Sequence, residues 1–334
     1  MAKSQQRMQK LGGRGASFQA SNPRDKRKLL IQRTSAVFGI PGHEAEAMMS
    51  LPRRQSVRIN PLSCRSHAEI EADLAPFTDW LIPIDWLDGA FHLDPPQGKS
   101  LPQTLFERGD LFIQNASSLL PVVEMDPQPG ERILDLCASP GGKSSLIAAL
   151  TDNKAELWLN DGIPQRIGKL NEVVTLLNVR AVAITSHPGQ FIDRELEGQF
   201  DLILIDAQCT GEGMINITQR SSYQYWSFDR VIKYSILQRK MLMSASKLLK
   251  PGGTLVYSTC TFSPEENESP LSFLLKHNGT MRMAPMDLKL PELIPARQRW
   301  QNETFHHSVG LARRVKPSTF FEGFFCAKLR KVDA

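Results

Sequence analysis

The sequence predicts an α/β fold: a doubly wound, mainly parallel sheet preceded by a small α+β module. Two observations predict it. From residue 110 onward, short apolar strands alternate with segments of helical spacing, whereas residues 36–105 mix short helical patterns with brief alternating stretches. Regular alternation of strand and helix is typical of a parallel sheet covered by helices on both faces. We therefore predict a basic tail over residues 1–35, a small domain over 36–105 and the main domain over 106–334.

The first 35 residues are strongly basic. The chain has 334 residues and a formal charge of +5, and residues 1–35 hold nine Lys/Arg against one Asp. A polar, basic arm with few apolar residues indicates a flexible tail that binds polyanions, and a transit peptide is the alternative. No secretory signal or apolar run of transmembrane length is present, which predicts a cytoplasmic protein without membrane contact.

The small module combines basic and aromatic groups. A helical pattern near residue 45 leads to alternating apolar residues at 57 and 59, flanked by Arg53, Arg54 and Arg58. A second helical pattern covers residues 68–77, and we expect the tryptophans that follow to pack in the core of the module. Exposed arginines on such a module suit the phosphates of RNA, so we assign these three to RNA binding.

The main domain follows in regular order. We expect strands at residues 132–137, 156–161, 181–185, 200–206 and 253–260, and helices at 143–150, 166–177 and 229–250. The last helix is expected to stop at Pro251-Gly252-Gly253. Residues 320–331 add a β segment, which we interpret as an edge hairpin. In such sheets the ligand lies beyond the carboxyl ends of the strands.

The first strand runs into the turn DLCASPGGKSS, for which three ligands compete. A phosphate-binding loop of the Walker A type would need glycine where Cys137 stands, and Pro140 lacks a backbone N–H for the phosphates. The dinucleotide-binding pattern G-x-G-x-x-G is absent from this turn. A nucleoside ligand without a pyrophosphate remains.

S-adenosylmethionine suits this turn. Gly141 and Gly142 let the backbone approach the ligand, Lys143 can meet its carboxylate, and the following helix N-terminus favours that charge. Asp161 ends the next strand, where it can accept hydrogen bonds from ribose hydroxyls. A turn residue before Gly162 is the simpler reading of the same aspartate.

Two cysteines follow two strand ends, Cys209 in LILIDAQCTGEG and Cys260 in LVYSTCTFSPEENE. Carbon 5 of a pyrimidine becomes nucleophilic after a thiolate adds to carbon 6, so a strand-end cysteine beside a sulfonium suits methyl transfer. We expect Cys260 to be this thiolate, with the residues SPEE opening a helix at Ser263. Cys209 could eliminate the adduct, and Asp206 could hydrogen-bond a flipped cytosine.

The five cysteines are odd in number and irregularly spaced, which argues against a disulfide framework and a metal site. We interpret Cys64, Cys137 and Cys326 as small buried apolar residues.

Four ordered motifs, ILDLCASPGGKSS, LILIDAQCTGEG, LVYSTCTFSPEENE and GDLFIQNASSLLP, resemble the Nop/Sun (Fmu-like) family of RNA cytosine-5 methyltransferases. The similarity covers roughly residues 50–330, and the bacterial ribosomal-RNA branch is the nearest. The resemblance implies a Rossmann-like class I methyltransferase domain behind an RNA-binding domain, and a monomer.

The resemblance also implies roles for single residues. Cys260 would be the nucleophile, Cys209 would assist product release, and Asp206 would serve both cofactor and base. The cofactor, S-adenosylmethionine, would be bound by Asp206, by Asp161 and by the loop Cys137, Ala138, Ser139, Pro140, Gly141, Gly142 and Lys143.

The sequence departs from the family pattern at three places. Gln208 and Thr210 replace the proline and serine that usually flank the second cysteine, and Pro188 stands where an aspartate usually lies near the adenine. Ser186 or His187 could substitute there. Some bacterial relatives carry an additional C-terminal RNA-binding domain, which would place more of the RNA contact on the small domain and the tail.

The sequence thus predicts a methyltransferase that makes 5-methylcytosine in ribosomal RNA, or, as second choice, in transfer RNA. Two other classes stay open. A catalytically degenerate protein of the same fold could bind RNA in ribosome assembly, and a P-loop nucleotide hydrolase would explain the glycine-rich turn but neither Cys260 nor Asp161.

Overall fold

The computed structural model describes residues 26–196 and 199–333, which form a small antiparallel sheet followed by a large mixed one. The small module contains α1 (Lys26–Phe38), α2 (Gly42–Ser50), β1 (Ser56–Ile59), α3 (His67–Leu74), β2 (Leu81–Pro83), β3 (Ala90–Leu93), α4 (Gln103–Glu107) and β4 (Leu111–Ile113). Its strands lie in the order β2-β3-β1-β4. The small sheet therefore extends beyond residue 105, where we had expected the module to end.

The prediction of a flexible tail is wrong for residues 26–35, which belong to helix α1. Leu30, Arg33, Thr34 and Val37 are buried on one side of this helix. Their spacing is that of a helix face packed against a core. Residues 1–25 lie outside the described part of the chain, so the prediction of a polyanion-binding tail there stays a prediction.

The main domain alternates helices and strands up to β9 and ends in antiparallel strands. Its elements are α5 (Ala116–Met125), β5 (Arg132–Asp135), α6 (Gly142–Leu150), β6 (Glu156–Asn160), α7 (Pro164–Leu176), β7 (Ala183–Thr185), α8 (Ile192–Glu195), β8 (Phe200–Asp206), α9 (Arg220–Tyr223), α10 (Phe228–Leu248), β9 (Leu249–Thr259), α11 (Glu268–His277), β10 (Met281–Ala284), β11 (Leu293–Pro295), β12 (Arg299–Trp300), β13 (Glu303–Thr304), β14 (Arg313–Val315) and β15 (Phe324–Lys331). Helix α10 ends before Pro251, so the glycine run lies within β9 and does not stop the helix.

The large sheet has the strand order β11-β14-β15-β9-β8-β5-β6-β7, with β10 paired to β15. Strands β5 to β9 run parallel, and β15 pairs antiparallel with β9 from Phe325 opposite Thr259 to Arg330 opposite Thr254. The segment predicted as an edge hairpin therefore lies inside the sheet. Its side chains Phe325 to Leu329 are almost all buried, which an edge strand would not require.

Both faces of the sheet are buried. Along β8, Ile203 and Ile205 pack in one apolar cluster with α10, while Leu202 and Leu204 pack in a second cluster with α5, α6 and α7. Successive side chains of a strand point to opposite faces, so continuous apolar runs such as LILI are expected when helices cover both faces. No helix among the described residues is long and apolar enough to cross a lipid bilayer.

Candidate active site

Two thiols meet at the carboxyl edge of the large sheet. Cys260 directly follows β9, and Cys209 lies three residues beyond the end of the neighbouring strand β8. Their Sγ atoms are 3.2 Å apart, and both side chains are half-buried. Parallel strands end at the same edge of a sheet, so their following residues converge although 51 positions separate them. The sequence prediction that these two cysteines share a site is consistent with this geometry.

A partly buried ion pair lies at the same edge. Lys143 Nζ is 2.6 Å from Asp206 Oδ2 and also donates to the Ser118 hydroxyl, while Ser258 Oγ donates to Asp206 Oδ1 over 2.7 Å. The lysine side chain is 11% exposed and the aspartate side chain 28%. Lys143, which we predicted to meet a cofactor carboxylate, is therefore paired with the predicted base-binding residue in this structure.

The loop after Cys209 is fastened to the segment after Cys260. Glu266 accepts hydrogen bonds from the Thr210 backbone N–H at 3.0 Å and from the Thr210 hydroxyl, and Gln238 Nε2 donates both to Glu266 and to the Gln208 carbonyl. Gln208 thus stands in a loop that is tied down by side chains, at the position where the family pattern has proline. Glu266 is fully buried, and burial together with the charge of Glu212 raises its pKa to about 8.

The environment of Cys209 favours its thiol form. Its contact with Cys260 and its burial raise the pKa of Cys209 well above its ordinary value, and the charge of Glu266 acts in the same direction. A protonated Cys209 would not compete with Cys260 as a nucleophile.

The helix predicted to open at Ser263 does not form there. Residues 264–267 make a turn, and α11 begins at Glu268 after Asn267. Ser263 instead donates its hydroxyl to Glu212 over 2.7 Å, and Glu266 is used by the Cys209 loop. These tertiary hydrogen bonds replace local capping of a helix, so the helix begins farther along the chain from Cys260 than we expected.

The predicted cofactor turn joins β5 to α6. Ala138, Ser139, Gly141 and Gly142 are buried, and Gly141 has φ +114°, a conformation that favours glycine. Cys137 is half-buried in this turn, and Pro140 is exposed.

Two acids flank the turn. Asp135, at the end of β5, accepts from Ser144 Oγ at 2.7 Å, and burial raises its pKa to about 7. Asp161 is buried and accepts from the backbone N–H groups of Ser139 and Ile163, and Arg166 Nη1 lies 3.2 Å from its carboxylate. The aspartate is therefore placed at the turn as predicted, with a guanidinium lying against it.

Asn160 is a residue that the sequence reasoning missed. Its amide donates to the carbonyls of Leu136 and His187, and its side-chain oxygen accepts from the His187 N–H and the Thr185 hydroxyl. It thereby joins the loops after β5 and β7. Ser186 donates to the Asp161 carbonyl, so it too is occupied by the loop itself. A polar residue at the buried end of an apolar strand is the signal that could have identified Asn160.

The three arginines assigned to RNA binding have different environments. The assignment is wrong for Arg58, which is 2% exposed and donates to Gln114, Ser145 and the Gly142 carbonyl. Arg53 is partly buried and donates to carbonyls of the Cys209 loop at Gly213 and Ile215.

Arg54 remains accessible. It pairs with Asp94 and, with Lys99, lines a surface cavity of about 890 Å³.

Among the other cysteines, Cys326 is buried as expected, whereas Cys64 is exposed because it lies in the surface turn between β1 and α3, which corrects our prediction.

Comparison with known proteins agrees with this architecture. Residues 122–330 match the family model of the 16S rRNA methyltransferase RsmB/F. The chain is 34% identical over 313 residues to tRNA (cytosine(49)-C(5))-methyltransferase of Pyrococcus abyssi, covering 91% of this chain and 96% of that protein.

A second relative is longer than this chain. The identity to ribosomal RNA small subunit methyltransferase F of Citrobacter koseri is 36% over 290 residues, which cover 85% of this chain and 58% of the relative.

A crystal structure of a methyltransferase homolog from Pyrococcus horikoshii superimposes with a TM-score of 0.71 at 28% identity, covering 91% of this chain and 99% of that one. The fold is therefore that of a Rossmann-like methyltransferase. With the matched family model and the length of both sequence alignments, the chain belongs to the RsmB/F (Nop/Sun) family of RNA cytosine-5 methyltransferases.

Proposed function

We propose that this protein transfers a methyl group from S-adenosylmethionine to carbon 5 of a cytosine in RNA through a covalent adduct at Cys260. The observation that carries the proposal is the 3.2 Å separation of the Cys260 and Cys209 Sγ atoms beside the Lys143–Asp206 pair. Two thiols with distinct roles and an acid that can hold a base are what this chemistry requires.

The residues of the turn are compatible with the cofactor. Gly141 and Gly142 leave its backbone free of side chains, and the buried Asp161 offers a carboxylate to hydroxyl groups, provided that Arg166 moves aside. When bound, S-adenosylmethionine would supply an electrophilic methyl group. The segment 185–189, held by Asn160, would border the nucleoside, with Pro188 in place of an acid.

In the proposed reaction the Cys260 sulfur forms a bond with carbon 6 of the cytosine, which makes carbon 5 nucleophilic. Asp206 orients the ring by accepting from its amino group. After carbon 5 has taken the methyl group, a water molecule accepts the proton of carbon 5. The electron pair of that C–H bond restores the double bond, and the bond between carbon 6 and the Cys260 sulfur breaks, with the electron pair leaving on sulfur. We assign Cys209 to this release step as the thiol that donates its proton to the departing Cys260 sulfur, because the two sulfur atoms lie 3.2 Å apart.

We propose ribosomal RNA as the substrate, with transfer RNA as the second candidate. Ribosomal RNA follows the name of the matched family model, whereas transfer RNA is favoured by the relative whose length this chain covers to 96%. Arg54 and Lys99, at the rim of the cavity in the small module, are proposed to contact phosphates. Residues 36–105 as a separate RNA-binding domain, a cytoplasmic location and a monomeric state stay predictions.

The test is a labelling experiment. The purified protein is incubated with methyl-labelled S-adenosylmethionine and size-fractionated bacterial RNA, and the labelled nucleoside is identified after digestion. We expect 5-methylcytosine, lost in Cys260→Ala, whereas Cys209→Ala should accumulate a denaturation-resistant protein–RNA adduct.

Three other outcomes would change the proposal. Label in Cys260→Ala equal to that of the wild type would contradict the assigned nucleophile. RNA and cofactor binding without label in any fraction would favour the RNA-binding alternative. Label confined to the small RNA fraction would decide for transfer RNA.

A further inference from the structure

We propose that Arg33, on the N-terminal helix α1, is a positioning residue that sets the distance between the Cys209 and Cys260 thiols. It does so by joining the loop after one cysteine to the segment after the other. Its catalytic meaning rests on the proposed function, whereas the placement of the thiols can be tested without any methylation.

Arg33 is held inside the protein by the segment that follows Cys260. Its side chain is 2% exposed, and its guanidinium donates to Glu265 over 2.8 and 3.2 Å and to Ser263 Oγ over 3.2 Å. The same guanidinium lies 5.0 Å from the centre of the Phe228 ring. An arginine so fully buried keeps its charge at low cost only when it is paired and hydrogen-bonded, as here.

The loop that follows Cys209 is joined to this segment through Glu212. Its Oε1 atom accepts from Ser263 Oγ at 2.7 Å and from Trp226 Nε1 at 2.9 Å, and lies 4.0 Å from Arg33 Nε. The Ser263 hydroxyl thus accepts from Arg33 and donates to Glu212. A short chain of polar contacts therefore joins the two segments directly, from Ser263 to Glu212, and Arg33 on helix α1 supports it by donating to Ser263 and lying against Glu212.

Both ends of this chain lie close to the thiols in sequence. Glu212 is three residues after Cys209, and Ser263 is three residues after Cys260. The next residue, Gly213, donates its backbone N–H to the Cys260 carbonyl over 2.9 Å. With so few residues between contact and thiol, a displacement of either loop moves its sulfur atom.

The charges make Arg33 hard to replace. Burial raises the pKa of Glu265, but the Arg33 guanidinium overcomes this effect and holds that pKa below its ordinary value. Without Arg33, the partly buried Glu265 and the buried Glu212 would both lack this counter-charge. Such groups take up a proton or move towards water, and either response loosens the two loops.

Four variants test the proposal. Arg33→Met removes the charge, and Arg33→Lys keeps it but loses the two-pronged contact with Glu265. Arg33→Met with Glu265→Gln also removes one unpaired carboxylate and thereby protects folding. Arg27→Met is the matched control, because Arg27 lies on the same helix but forms an exposed pair with Glu46.

The first measurement needs neither RNA nor cofactor. Diamide oxidises two neighbouring thiols to a disulfide, taking up their two electrons and two protons, and the bond between residues 209 and 260 is quantified by peptide mass. A disulfide requires the sulfurs to approach to about 2 Å, so its rate reports the spacing of the thiols. We expect a rate about tenfold lower in Arg33→Met and in the double variant, less reduction in Arg33→Lys, and no change in Arg27→Met.

The second measurement is methylation. Misplaced thiols should lower kcat about tenfold in Arg33→Met with little change in KM for RNA, since no substrate contact is removed. Unaltered rates of disulfide formation in folded Arg33 variants would overturn the proposal. If Arg33→Met fails to fold, the test rests on Arg33→Lys. A slowed disulfide in a protein whose wild type methylates nothing would overturn the proposed function and leave Arg33 as the determinant of thiol spacing.

Discussion

At the scale of single residues, Glu266 has an unusual charge state. It is a fully buried carboxyl with a pKa of about 8, and it holds the loop of Cys209 through Thr210. A carboxyl whose pKa is raised by folding is protonated in the folded protein at pH values where it is ionised in the unfolded chain. Its contribution to stability is therefore complete at low pH and is lost as the pH rises from about 4.5 to about 8.

We therefore predict that Glu266→Gln removes part of the pH dependence of the free energy of unfolding. Between pH 5 and pH 8 the wild type should lose stability relative to the variant, on the order of 1 kcal/mol per pH unit. Urea unfolding at several pH values measures this difference. Asp135, whose pKa is about 7, is present in both proteins, so its contribution to the pH dependence is the same in each and drops out of the difference. Parallel stability curves would contradict the raised pKa of Glu266.

The placement of the thiols and Asp206 at the carboxyl edge of the sheet could be predicted because its signal is local: a polar or thiol side chain at or just after the end of an apolar strand. Arg33, Glu266 and Asn160 could not be predicted in the same way. Their roles depend on partners distant in the sequence, as in the pair of Arg33 and Glu265, which are 232 positions apart. The signal that was available is the acidic run at 265–268, because acids inside an apolar region need partners.

At the scale of elements, two loops approach each other closely through glycines. A Cβ atom on Gly213 would lie 1.8 Å from the Gly323 carbonyl oxygen and 2.8 Å from the Cys260 carbonyl oxygen. Both neighbours are backbone atoms of segments that begin or end central strands. They cannot move aside as a flexible side chain can, so only glycine fits between them.

We predict that Gly213→Ala lowers stability by about 2–4 kcal/mol and methylation by a larger factor than its unfolded fraction explains. Gly168→Ala is the control. This glycine lies within α7 with no atom within 4 Å of an added Cβ, so alanine should stabilise the protein by up to about 1 kcal/mol. Thermal unfolding and initial methylation rates, measured on both variants, test these expectations. Normal activity of Gly213→Ala would show that this loop contact does not position Cys260.

The helices and strands of the main domain were largely predictable, because short apolar strands and segments of helical spacing alternate there in regular order. The two wrong elements have physical reasons. The helix expected at Ser263 yields to hydrogen bonds with the other loop, and the segment 320–331 pairs with β9 rather than forming an edge. In both cases a tertiary partner outweighs a local preference, and a single sequence carries little information about such partners.

At the scale of the whole molecule, the positive charge of the chain is concentrated towards its beginning. Residues 1–25 contain five Lys/Arg, whereas the buried Arg58 has no access to a polyanion. Binding of RNA by basic residues releases counterions, so the affinity depends on salt in proportion to the phosphates that are contacted.

We predict that deleting residues 1–25 reduces the salt dependence of RNA binding: the magnitude of the slope of log K, the association constant, against log salt falls by up to about 3. Arg58→Met should leave this slope unchanged. Filter binding of a single-stranded RNA between about 50 and 200 mM salt measures the slope. A deletion without effect on the slope would locate the phosphate contacts within the described residues, with Arg54 and Lys99 as the first to replace.

The position of β9 has one more consequence. This strand is hydrogen-bonded to β8 on one side and to β15 on the other, so its amides exchange with solvent only when the sheet itself opens. Cys260 is attached directly to this strand, whereas Cys209 lies on a loop whose side-chain hydrogen bonds to Glu266 and Gln238 can open without opening the sheet. The loop can therefore open around a departing product while the sulfur that we propose as the attacking group stays in place.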